Sequence, residues 1–107
     1  MAVTLCITDV RPDVTVNWYY PTEEFRQYII KNWLETGRLL GVPVETFSKD
    51  GLTRKLVTSF CDEQAYTDWR RDPVRTREHL PMIAYNTSNG IIRSMDRIWP
   101  TAVLRDN

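Results

Sequence analysis

The stretch from Thr22 to Trp33 constrains the fold more than any other. Phe25, Tyr28, Ile29 and Trp33 fall at i, i+3, i+4 and i+8, a single apolar stripe along a helix. Thr22 is placed to cap that helix, and Glu23 and Glu24 supply the charge sign that its N-terminal dipole favours. Gly37 or Gly41 is where it should stop. A helix with one apolar stripe needs a surface to lie on, and the runs on either side of it read as strands.

Residues 3–9, VTLCITD, alternate and are rich in β-branched side chains, and Arg11 and Pro12 interrupt them. Residues 14–20, VTVNWYY, put Val14, Val16, Trp18 and Tyr20 on one face and Thr15, Asn17 and Tyr19 on the other, which predicts a second strand. Residues 44–48 and 52–60 flank Lys49, Asp50 and Gly51 and should close into a hairpin. Asp62 then caps a helix carrying Ala65, Tyr66 and Trp69. Asp72–Pro73 and Leu80–Pro81 each mark a break, so residues 63–89 are expected as two or three short helical pieces. After Asn89 and Gly90 the chain returns as a strand over 91–99.

This order predicts an α+β domain spanning residues 1–107: a ferredoxin-like βαββαβ unit with an antiparallel sheet, helices on one face and residues 3–9 as an extra N-terminal strand. Tyr19, Val57, Met95 and Trp99 would carry apolar groups to the uncovered face, and a face of that kind predicts a homodimer with two-fold symmetry.

Charge narrows the partners. Lys plus Arg and Asp plus Glu both number 14, so no global field draws in nucleic acid or an anionic membrane. The run LTRKLVTSF sits where RNA-recognition domains carry a basic, glycine-rich motif and lacks that motif. With neither a secretion signal nor an 18-residue apolar run, the expectation is a cytoplasmic protein. Cys6 and Cys61 stand alone in apolar runs and read as buried free thiols. A single histidine rules out a two-histidine metal motif, and GxGxxG, P-loop and GxSxG patterns are absent. Arg70, Arg71, Arg75 and Arg77 form the dense basic cluster, either a clamp for carboxylates and phosphates or a solvated face neutralised by Asp68, Asp72 and Glu78.

The segment LVTSFCDEQAYTDWRRDP resembles the strand-then-helix signature of the antibiotic biosynthesis monooxygenase family in the dimeric α/β-barrel superfamily, through Asp62 or Glu63, Ala65, Tyr66 and Trp69. The haem-degrading branch of that family is described by an Asn, Trp, His set whose histidine follows the tryptophan by ten positions, as His79 follows Trp69. The resemblance implies a dimeric barrel with Asn17, Trp69 and His79 as catalytic residues and an aromatic or porphyrin-like ligand. The cofactor it implies is either none, as in a cofactor-independent oxygenase, or a haem with His79 as its ligand and Arg75 and Arg77 beside its acidic groups. The competing expectation is a non-catalytic dimeric interaction or accessory protein on the same fold, in which Trp69 is a packing residue and His79 a partly exposed imidazole near a helix end.

Overall fold

The computed structural model describes residues 1–98, and its first strand is a central one. Strand β1 (Val3–Val10) pairs antiparallel with β3 (Thr53–Phe60) on one side and with β4 (Ile92–Ile98) on the other, while β2 (Val44–Phe47) adds to the outer side of β3. The resulting order β2-β3-β1-β4 is α+β and compatible with a ferredoxin-like fold. The hairpin forms where expected. Gly51 takes φ 75°, and Asp50 Oδ1 accepts from the Ser48 hydroxyl at 2.6 Å and the Leu52 N–H at 3.0 Å.

The sheet has four strands among the described residues, because 14–20 is not one. Its alternation is overridden by local turn chemistry. Asp13 accepts hydrogen bonds from both the N–H and the hydroxyl of Thr15, and the Arg11 guanidinium ties down the Val16 carbonyl at 2.7 Å and the Gly51 carbonyl at 2.8 Å. Residues 3–9 are therefore the first core strand and not an extra one. The 14–20 segment lies on the helix-bearing side as a loop, with Trp18 against Phe47 and Tyr19 against Tyr85.

Three helices follow their caps. Thr22 Oγ1 accepts from the Phe25 N–H at the start of α1 (Glu23–Ile29), which runs on through a π-helical turn, Ile30–Leu34, closed by the Glu35 N–H on the Ile30 carbonyl at 2.9 Å. Asp62 caps α2 (Glu63–Arg71), and Asp72 caps α3 (Pro73–Asn89) with Pro73 as its first residue. The expected break at Leu80–Pro81 does not occur: Pro81 sits inside α3. Proline there forfeits one backbone hydrogen bond, a cost of about 3 kcal/mol, and a 17-residue helix capped at both ends, by Asp72 and by Gly90 at φ 71°, absorbs it. Among the described residues no helix is long and apolar enough to cross a membrane.

Residues directly opposite one another share a face of the sheet. The helix-bearing face carries Val3, Leu5, Ile7 and Asp9, opposite Phe60, Thr58, Leu56 and Arg54 on β3. Val3, Leu5 and Phe60 are buried there with Trp33, Leu39 and Ala65. Met95 pairs with Ile7 and so belongs to this face and not to the opposite one; Tyr19 is in the loop, and Trp99 lies outside the described residues. The opposite face carries Cys6, Thr8 and Val10 with Lys55 and Val57, Ile92 and Asp96, and Val44. Cys6 and Cys61 are both free and half-buried.

Candidate functional site

The helix-bearing face changes character along β1. Val3 and Leu5 pack in the apolar core, but two pairs further on the same row ends in Asp9, which is 0% exposed. A carboxylate so placed needs partners, and cross-strand pairing supplies Arg54 from β3 and Arg93 from β4. Arg93 grips both carboxylate oxygens, Nε to Oδ1 at 2.7 Å and Nη2 to Oδ2 at 2.9 Å, and Arg54 Nη2 donates to Oδ2 at 2.8 Å. Burial pushes the Asp9 carboxyl up, but hydrogen bonds and charge from the two guanidiniums outweigh it and hold it below its ordinary value.

Arg54 is itself 2% exposed. Its Nη1 donates to the Tyr19 carbonyl at 3.1 Å and reaches Glu45 at 3.4 Å, and its guanidinium lies over the rings of Trp18 and Tyr20 at 5.0 and 5.1 Å. Tyr20 closes the ring by donating to Glu45 at 3.0 Å. The loop after β1 thus roofs the ion pairs with aromatic rings, while the buried Arg54 Nε has no hydrogen-bond partner.

Beside this network a groove of about 300 Å³ runs between α3 and the start of β4, lined by His79, Met82, Ile83, Asn86, Thr87, Ile91 and Arg93. His79, Met82 and Asn86 are successive turns of one helical stripe that begins at Arg75. Burial lowers the His79 pKa, and the positive charges of Arg75 and Arg93 lower it further. Both effects favour the neutral imidazole over the imidazolium. Burial also lowers Arg75, against the opposing effect of Tyr66 and with Arg70 and Arg93 adding to it.

No family model matches this sequence, and no curated protein is similar to it at a significant level. The site therefore rests on its own geometry.

That geometry distributes the residues singled out by sequence among different surroundings. Trp69 is packed edge-on to Trp33 at 5.0 Å and against Phe60 at 5.9 Å and Phe25 at 6.4 Å, in the aromatic part of the core. Asn17 is exposed in the loop, where its backbone carbonyl accepts from the Tyr85 hydroxyl at 2.6 Å. His79 lines the groove, and neither Asn17 nor Trp69 does. Of the basic cluster, Arg70 lies over the Tyr66 ring, Arg71 is exposed, and Arg77 is exposed with a 3.8 Å pair to Glu78; only Arg75 is half-buried, one turn from His79. Among the described residues no group of three or more His, Cys, Asp or Glu side chains could hold a metal ion, and His79 and Met82 are the groove residues of a kind that ligates haem iron.

Asp9, Arg54 and Arg93 belong to no motif of the sequence. A signal was present: Asp9 follows Val3, Leu5 and Ile7 at inward positions, and Arg54 shares its strand face with Leu56 and Phe60. A charge at an inward position of a strand calls for a partner on a neighbouring one.

Proposed function

We propose that this chain is a small non-catalytic interaction module that works as a homodimer, joined through the sheet face opposite its helices. The observation that carries the reading is the exposure of that face: Val10, Val44 and Ile92 are 42%, 59% and 71% exposed around the half-buried Cys6 and Val57. Its charges are self-complementary. Lys55 and Asp96 are both exposed, on opposite sides of β1. A two-fold axis along the strands, between β3 and β1, lays each subunit's β4 over the other's β2 and directs Lys55 toward Asp96 of the partner subunit.

Light scattering on purified protein is expected to give a mass of twice 12.6 kDa. Val44→Glu combined with Ile92→Glu should yield a monomer with an unchanged circular dichroism spectrum, since both side chains are solvent-facing in one subunit. Lys55→Glu should weaken association, and adding Asp96→Lys should restore it. A wild-type protein that is monomeric at every concentration overturns the reading.

A second reading is favoured by His79. A monooxygenase-like dimer, similar to the antibiotic biosynthesis monooxygenases, would hold an aromatic or porphyrin-like molecule with Asn17 and Trp69 as further site residues and Arg75 and Arg77 near its acidic groups. The lowered pKa of His79 supports it, because only the neutral imidazole ligates a metal. The stacking of Trp69 in the core opposes it. In a haemin titration this reading expects a saturable Soret shift at one haem per subunit, lost in His79→Ala. Absence of the shift leaves the interaction module alone.

A further inference from the structure

The positive charge beside the α3–β4 groove exceeds what its neighbours neutralise. Asp9 and Glu45 are the carboxylates that meet Arg54 and Arg93. Glu78, next to His79 in the chain, pairs with Arg77, and Glu63 pairs with Arg97. Arg75 has no carboxylate or hydrogen-bond partner for its guanidinium among the described residues, although it is half-buried and feels the charge of Arg93. Arg75 stands one turn before His79 on the same stripe of α3, so its half-buried guanidinium leaves an uncompensated positive charge near that end of the groove.

The groove has a polar and an apolar side. Arg93, Asn86 and Thr87 bring hydrogen-bonding groups to it, while Met82, Ile83 and Ile91 bring apolar surface. Asn86 is 7% exposed, and its amide nitrogen spends a hydrogen bond on the Met82 sulfur at 3.0 Å, a weak acceptor. Arg93 gives Nε and Nη2 to Asp9 and keeps Nη1 outside those two bonds.

We propose that this groove binds an organic anion, a carboxylate on a short apolar body, with its head at the lining residues His79 and Arg93, within reach of Arg75 one turn before His79 on α3, and its body along Met82, Ile83 and Ile91. Guanidinium groups suit a carboxylate head, and about 300 Å³ is room for a small ligand but not for a large one. The site belongs to one subunit and lies on the face away from the proposed dimer contact, so it goes beyond that reading and stands without it. It also needs no iron.

His79 is the chain's one histidine, so its ring protons give an unobstructed NMR signal. Titration of the full chain with sodium hexanoate should move those resonances saturably and raise the His79 pKa, because a bound carboxylate favours the imidazolium. Arg75→Gln should weaken hexanoate about tenfold by removing a charge-assisted contact. Ile83→Glu, at a side chain exposed enough to leave folding intact, should weaken it comparably. Hexanol and inorganic phosphate test the two halves of the ligand separately. The proposal is overturned by a hexanoate titration without saturation, by affinity unchanged in Arg75→Gln, or by either half-ligand binding as tightly as hexanoate.

Discussion

Replacing Asp9 by asparagine is expected to lower folding stability by about 3–5 kcal/mol, because it leaves the buried Arg54 and half-buried Arg93 without their shared counter-charge. Tryptophan fluorescence during urea unfolding at pH 7 measures the loss. Its pH dependence separates lost charge from lost shape. The folded Asp9 carboxyl lies below its ordinary value, so its contribution is present above the unfolded pKa of about 3.9 and disappears as pH falls through the folded one. The gap between wild type and Asp9→Asn should therefore be full at neutral pH and narrow in acid. Adding Arg54→Met should cost less than the sum of the two single changes, since each partner is a liability only while the other is missing. Strict additivity would show that the contact contributes little.

Trp33→Ala is expected to cost about 3–5 kcal/mol for a different reason. The indole is 1% exposed and meets Phe60 and Trp69 edge-on at 6.3 and 5.0 Å, with the Arg38 guanidinium 3.9 Å from its ring centre. Removing it opens a cavity where α1, α2 and the sheet meet. Unlike the Asp9 change, this one removes no titrating group, so most of its cost should persist in acid below the unfolded carboxyl value of about 3.9. A loss below about 1 kcal/mol would mean that the surrounding rings collapse into the space.

Where structure is decided by neighbours in the chain, the sequence was readable. Thr22, Asp62 and Asp72 each cap the helix they precede, Gly51 turns the hairpin, and the stripe Phe25, Tyr28, Ile29 and Trp33 faces the core as its spacing requires. Residues 14–20 depart from their strand pattern because alternation reports a two-residue period and nothing about whether a neighbouring strand is there to pair with. Asp13 and Arg11 turn that segment away first. Pro81 does not end α3 because a helix end depends on the summed caps and packing more than on one missing hydrogen bond. The polar site was harder still. Asp9 meets Arg54 across 45 positions and Arg93 across 84, and no local pattern carries a pairing at that range. His79 was visible as a lone imidazole, but its place in a groove with Arg93 depends on how α3 lies along β4.

The central position of β1 sets a timetable for folding. β1 must wait for residues 53–60 before one flank is paired and for residues 92–98 before the other is. Asp9 likewise waits for Arg93 to complete its grip. Contacts of such long sequence separation are reached slowly, so a nascent chain lacking β4 carries an unsatisfied edge and a half-neutralised buried acid together. Chains stalled before residue 92 should be the aggregation-prone species during synthesis, because the β1 edge that residues 92–98 cover is then open.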